Sequence, residues 1–135
     1  MNLKMNSIHL FILITLTVVT SGVRIGSFNL HQYGSKKAEN STLTDHVARI
    51  LCDFDLGVIQ EVTDVSQKAP HVLLAALNKV STSGSFTMAL SERVGRSATK
   101  EQYIFFNRES TSGIQLVSAY IHNDVTDRFE RPPLV

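Results

Sequence analysis

Asn29 and Glu61 each close a short apolar run, Asn29 after Ser27-Phe28 and Glu61 after Val58-Ile59-Gln60. If the two runs are neighbouring parallel strands, their carboxyl ends open on one crevice, which is where open α/β sheets bind ligands. A carboxylate beside an amide oxygen suits Mg²⁺, a hard cation that takes few protein oxygens and keeps its waters. The same spacing also fits a strand-terminal glutamate that simply meets solvent. Glu101 is a third candidate, in the β-prone stretch Glu101-Gln102-Tyr103-Ile104-Phe105 that follows a Gly95-Arg96 turn. Acidic residues in strands usually face water, whereas a buried one beside a histidine orients and charge-stabilises the imidazole for acid or base chemistry. Arg96 is a candidate phosphate contact, although Gly-Arg is a common dipeptide. His9, His31, His46, His71 and His122 show no metal-ligand spacing and no evident partner for Glu101, so a self-contained triad is not readable.

Placing these side chains requires particular elements. Residues 23–29 alternate loosely and predict a strand, followed by a loop through Tyr33-Gly34. Thr42 with Asp45 three residues later predicts a capping-box start, and Leu43, Val47, Ile50 and Leu51 share one helical face, so a helix should run to about Asp53. Residues 56–61 predict a strand covered on both faces, and strand, helix, strand predicts a right-handed parallel crossover. Residues 70–79, with Val72, Leu73, Ala76 and Leu77 on one stripe and Pro70 in the first turn, predict a second helix. Three more β-prone segments, residues 85–90, 101–107 and 114–121, predict an antiparallel extension. The fold class is α/β, one mixed sheet with helices on one face. Such a sheet needs a cover on its other face, and the sequence reaches Arg131-Pro132-Pro133-Leu134-Val135 just as another apolar strand begins, so the domain over residues 23–135 reads as incomplete at its C-terminus.

Composition narrows the class without choosing a function. At 135 residues, 43% hydrophobic and 19% charged, the chain holds one ordinary domain at most, which excludes a disordered polar tail and a strongly basic nucleic-acid sponge. The run from Ile8 to Val19 carries no acidic or basic charge, follows Lys4 and exits through Thr20-Ser21-Gly22. It is too short to span a bilayer and has the form of a secretory signal peptide, predicted over residues 1–22. Its removal takes only Lys4 among the charged residues, leaving basic and acidic groups balanced, with no membrane association and a secreted or endomembrane-lumen location. In that compartment Asn40-Ser41-Thr42 is a glycosylation sequon in a polar stretch expected to be an exposed loop. Cys52 is the only thiol, so no intrachain disulfide can form; it reads as a small apolar residue on a helix.

Taken together, these residues resemble one family. Val-Arg-Ile-Gly-Ser-Phe-Asn at 23–29, Tyr33-Gly34, Asn40-Ser41-Thr42-Leu43, Gln60-Glu61-Val62, Leu90-Ser91-Glu92-Arg93-Val94-Gly95-Arg96, Lys100-Glu101-Gln102-Tyr103 and Phe129-Glu130-Arg131 fall in the order found in secreted deoxyribonuclease I-like nucleases. The resemblance covers nearly all of the chain after the signal peptide. It implies the N-terminal half of the four-layer αββα sandwich of the endonuclease/exonuclease/phosphatase superfamily. It also implies hydrolysis of DNA phosphodiester bonds with Mg²⁺, and with Ca²⁺ at a separate site. By the same resemblance Asn29 and Glu61 belong to the metal and phosphate site, and Glu101 is the catalytic carboxylate that supports a histidine. Arg96 and Arg131 match phosphate contacts, and Asn40 matches a glycosylated position.

The departures from the family pattern carry equal weight. Thr63 stands where members commonly place a minor-groove Arg, Thr99 replaces a Tyr that stacks on sugar, and His31 stands where the family often has Arg, so weaker DNA affinity is expected. Asp127 matches a calcium ligand, but Pro132 replaces an acidic residue of that site. The edge Thr87-Met88-Ala89-Leu90 lacks the aromatic residue through which some relatives bind actin, so weak or no actin binding is expected. The histidine that would pair with Glu101, a second histidine, and the Asp and Asn metal ligands of the other half have no counterparts. The resemblance therefore implies an incomplete chain of an active endonuclease. The alternatives are a truncated, non-catalytic homologue acting as a binding protein and, further off, another phosphodiesterase of the superfamily, against which Lys100-Glu101-Gln102-Tyr103 and the sequon count.

Overall fold

The computed structural model describes residues 22–96 and 98–135; the apolar run from Ile8 to Val19 lies outside them. Four strands form one sheet in the order β1-β2-β4-β3: β1 (Ile25–Tyr33), β2 (Leu56–Val62), β3 (Thr87–Leu90) and β4 (Gln102–Asn107). The β1–β2 pair is parallel, as the crossover reading requires, and β4 runs antiparallel to both its neighbours. Helices α1 (Ser35–Ala38) and α2 (Ser41–Leu51) fill the first crossover, α3 (Lys68–Val80) follows β2, and a single turn, α4 (Glu109–Ser112), follows β4.

The helices cover one sheet face because the strands alternate. Ile59, Ile104 and Phe106 point into a core with Ala48 and Leu51 of α2 and Leu73 and Leu77 of α3. Burying each of the larger side chains contributes about 1.5–3 kcal/mol, so this face dominates the packing energy. Gly26 belongs to it by necessity, since a Cβ there would meet the Phe54 ring at 2.7 Å. The α3 stripe differs from expectation: Ala69, Pro70, Leu73 and Leu77 are buried while Val72 is exposed, because the contact face is set one residue round from the sequence stripe.

The start of α2 is also corrected. Asn40, not Thr42, is the cap: its Oδ1 accepts from Leu43 N–H at 3.0 Å. Asp45 instead bonds Arg49 one turn on, at 2.8 Å. The polar stretch before α2 is not all loop, since it contains α1. Two residues past the expected start, β3 begins at Thr87, where the Asn78 side chain of α3 clamps the preceding residue in both directions. It donates to Phe86 O at 3.1 Å and accepts from Phe86 N–H at 2.6 Å.

The expected strand over residues 114–121 does not form. Only Ile121 makes a single bridge, to Leu134, and Val117 is 94% exposed. β4, which the segment follows, is already bonded on both sides, so the segment cannot pair with the strand it leaves. On the sheet face away from the helices, Val58, Phe105 and Ala89 share one cross-strand row and are only partly buried. A cavity of about 310 Å³ opens there, lined by Leu56, Met88, Phe105, Ile114 and Leu116 among others.

One buried ion pair ties the sheet's lower end together. Asp55 accepts from Arg24 N–H at 3.0 Å and from Thr111 Oγ1 at 2.6 Å, and lies 3.1 Å from Arg108 Nη2. Arg108 also donates to Ser83 Oγ at 2.6 Å and stacks over the Phe86 ring at 4.9 Å. The Arg24 amide, then the Thr111 hydroxyl and Arg108, outweigh burial and lower the Asp55 pKa to about 2. Asp55→Ala, which leaves Arg108 buried without its partner, should cost about 3–5 kcal/mol in urea unfolding at neutral pH. Because the folded-state pKa is depressed, this contribution is present above about pH 4 and is lost as pH falls towards the folded value, so wild type and variant should converge in acid.

Candidate active site

The site begins where the β-ladders fail. The β1–β2 register runs to Asn29↔Gln60 and resumes at Tyr33↔Val62, so residues 30–32 face Glu61 alone. On the other side the β2–β4 register runs to Ile59↔Ile104 and resumes at Val62↔Gln102, leaving Gln60 and Glu61 opposite Tyr103. Glu61 is thus the centre of irregularities in both ladders. His31, Gln32 and Glu61 have left-handed backbones, with φ of 50°, 60° and 59°. Such conformations cost about 1–3 kcal/mol each for non-glycine residues and persist only where the surroundings over-determine them. Bulges of this kind re-aim side chains and gather at active sites.

The surroundings here are a closed ring of hydrogen bonds. Asn29 Nδ2 donates to Glu61 Oε1 at 2.7 Å, Gln32 N–H donates to Glu61 Oε2 at 3.2 Å, and His31 N–H donates to Asn29 Oδ1 at 2.7 Å. The His31 ring approaches the same carboxylate, with Nδ1 at 3.8 Å from Oε2. The Asn29 amide leads in holding the Glu61 pKa below its ordinary value; burial opposes it, and the Gln32 amide and the charges of His31 and Arg131 add to it. Each Glu61 oxygen accepts one bond in this ring and retains a lone pair for another ligand.

Glu101 lies just before β4, in a two-way bridge with Val94: Val94 N–H donates to Glu101 O at 2.8 Å and Glu101 N–H to Val94 O at 2.9 Å. Its side chain is only 14% exposed and stands 2.9 Å from Arg131 Nε. Burial raises the Glu101 pKa; Arg131 pulls it down and the charge of Glu61 pushes it up further. The neighbouring Tyr103 hydroxyl is also pushed up, by burial first and then by the charge of Glu101. Arg131 lowers both glutamates, so Glu61, Glu101 and Arg131 form one electrostatic group, with Asn29 bonded into it.

Arg96 belongs elsewhere. Gly95, at φ 131°, turns the chain so that Arg96 Nε donates to Asp127 Oδ1 at 3.0 Å, a terminal nitrogen donates to the Asp127 carbonyl, and Nη1 lies 3.8 Å from Glu130. Asp127, considered above as a calcium ligand, therefore serves a guanidinium, and Asp124 nearby accepts from Phe129 N–H at 2.7 Å. Among the described residues no three His, Cys, Asp or Glu side chains are grouped so as to hold a metal ion. Asn40 is exposed at its helix start. Sequence reasoning missed the backbone of Gln32 and the side chain of Lys37, which donates to Leu30 O at 3.0 Å and also to His31 O. No motif announces either, because both contacts depend on the bulge.

No protein-family model matches the chain. Curated proteins do. It is 35% identical over 124 residues to deoxyribonuclease-1-like 1 of Cricetulus griseus, covering 92% of this chain and 40% of that protein. It is 37% identical over 112 residues to human deoxyribonuclease-1-like 1, covering 83% and 36%, and 34% identical over 139 residues to deoxyribonuclease-1 of Oryctolagus cuniculus, covering 97% and 48%. Over most of its own length the chain is similar to part of the deoxyribonuclease-1 and deoxyribonuclease-1-like proteins. It spans less than half the length of these relatives. Among the described residues no helix is long and apolar enough to cross a membrane.

The charge coupling in this group is directly measurable. Arg131→Gln removes the cation that offsets burial and the charge of Glu61, so the carboxyl of Glu101 should titrate at higher pH in the variant. Carboxyl carbon shifts followed through a pH titration check the direction; an unmoved or lowered midpoint would contradict the grouping.

Proposed function

We propose that this chain is part of a secreted, divalent-metal-dependent endodeoxyribonuclease that hydrolyses DNA phosphodiester bonds. The observation that carries the reading is the double irregularity at Glu61, which presents an ionised carboxylate bonded to Asn29 within an electrostatic group that holds Glu101 and Arg131. The donor set suits Mg²⁺: a carboxylate with free lone pairs, an amide oxygen beside it and a second acid nearby, all hard oxygens. When bound, the ion would supply positive charge against a phosphate oxygen. Glu61 and Asn29 would hold it. Arg131 would meet the phosphate, and Glu101 would orient a histidine from the rest of the protein, its burial strengthening that charge-assisted bond. Ca²⁺ is a second candidate cation, but the Asp127 site does not fit it as arranged, because Arg96 neutralises the carboxylate.

A plasmid-nicking assay on the protein that contains this chain in full length tests the reading, with Mg²⁺ and Ca²⁺ added separately. Glu61→Gln and Glu101→Gln should each lower the rate by about 100-fold or more, and chelation should abolish it. Near wild-type nicking by both variants would refute the site assignment. The approach of Arg131 Nε to Glu101 at 2.9 Å, which already occupies the carboxylate assigned to a histidine, favours a second reading, a truncated, non-catalytic homologue that acts, if at all, as a binding protein. On that reading no cation supports nicking, either by the 135-residue chain or by a longer protein that contains it, and any remaining role is binding.

The secreted location follows from the signal peptide proposed over residues 1–22. N-terminal sequencing of protein recovered from medium should begin near Val23, and an intact Met1 would contradict it. The cap at Asn40 uses Oδ1 and leaves Nδ2, the atom that carries a glycan, outside that bond, which is compatible with modification of the sequon.

A further inference from the structure

Lys37 has no part in the acid group, yet it is the side chain that reaches the distorted segment of β1 from outside. Residues 30–32 stand opposite Glu61 alone, so the ladder cannot pair all their carbonyls. Lys37 Nζ donates to Leu30 O at 3.0 Å and to His31 O. An ammonium is suited to this, because it carries three donors and bonds involving an ionised donor are stronger than neutral ones.

The lysine is itself held from a third place. It lies on α1, whose first residue donates through Ser35 Oγ to Asp64 Oδ1 at 2.9 Å. Asp64 is buried in the loop after β2 and accepts from Ala69 N–H at 2.7 Å, at the start of α3. The connection therefore runs from α3 through Asp64, Ser35 and Lys37 to the carbonyls of residues 30 and 31. The amides that follow those carbonyls, of His31 and Gln32, are the donors that fix Asn29 and Glu61. Lys36, its neighbour in sequence, is exposed and has the same charge.

We infer that Lys37 is a positioning residue for the site: by bridging the Leu30 and His31 carbonyls it holds the left-handed turn of β1 that aims the His31 and Gln32 amides at Asn29 and Glu61. The kinetic consequence rests on the nuclease reading above; the structural tether does not. Lys37 touches no group of the acid cluster, so its loss should loosen the ring without removing a ligand.

Amide hydrogen exchange by NMR on the full-length protein, paired with nicking kinetics, separates the two. In Lys37→Met the amides of His31 and Gln32 should exchange about tenfold faster or more, while those of Ile59 and Ile104 in the central strands stay unchanged. Lys37→Arg, which keeps a multi-donor cation, should restore protection to within about threefold, and Lys36→Gln, which removes an equal charge, should change nothing. In the kinetics Lys37→Met should lower kcat about tenfold with KM unaltered, since only the alignment of the reacting groups is disturbed.

Unchanged exchange at His31 and Gln32 would overturn the inference. So would exchange that rises equally at Ile59 and Ile104, which marks a folding role, or a raised KM with kcat intact, which marks contact with substrate. Equal behaviour of the Arg and Met variants would overturn it as well. A wild-type protein that nicks no DNA, yet shows the localised and Arg-rescued exchange, would sink the nuclease reading and leave the tether standing.

Discussion

Glu61 interrupts two hydrogen-bond ladders at once, and the organisation of the site follows from that. In a regular strand, alternation would put Gln60 and Glu61 on opposite faces and leave Glu61 to whichever neighbour the pleat supplied. The extra residues in β1, and the extra residue of β2 relative to β4, remove that constraint and leave unpaired backbone groups in its place. Those groups are reused. The His31 and Gln32 amides become donors to Asn29 and Glu61, and the carbonyls beside them become acceptors for Lys37. The conformational cost of three left-handed residues is offset by bonds that exist only in that conformation.

The charged residues divide into two groups with different physics. Around Glu61 and Glu101, burial and like charge raise one acid while hydrogen bonds lower the other, so two carboxylates in one neighbourhood titrate apart. Environments that separate the pKa values of paired acids are a recurrent property of catalytic sites. Around Arg96, by contrast, Asp127 and Glu130 are exposed and the pairing is a surface one, weakened by solvent and salt. Arg131 sits with the first group, and this gives it a role that its spacing from Phe129 could not disclose.

Two buried aspartates act as staples on either side of the site. Asp64 is pushed up by its burial, but the bonds from Ala69 N–H, Ser66 and Ser35 prevail and lower its pKa to about 2. It fixes the loop after β2 to the starts of α1 and α3. Asp55 does the same at the opposite end of the strands through Arg24, Arg108 and Thr111. Both are single residues that accept from several elements, so strand ends are held where regular secondary structure stops supplying partners.

The apolar periodicity of the sequence determined β1, β2, β4 and the two long helices, because a strand or helix that buries one face must repeat its apolar residues at that element's own period. It also placed Asn29 and Glu61 on neighbouring strands, since parallel pairing follows from the intervening helix. The expected loop after Asn29 is still strand: β1 runs on to Tyr33, and Asn29 sits at the last regular pair before the bulge. Local pattern was insufficient where the outcome depended on competition. Thr42 and Asn40 are both good caps, and only the path of the chain out of α1 chose Asn40. Residues 114–121 have the composition of a strand, but pairing needs a partner as well as a composition, and among them only Ile121 finds one, Leu134. Lys37, Arg131 and the Gln32 amide reach their places through contacts between segments distant along the chain or through backbone angles that no side-chain pattern encodes. Their roles were decided by the tertiary structure, because a bulge becomes visible only when two strands are laid side by side and their residues fail to match.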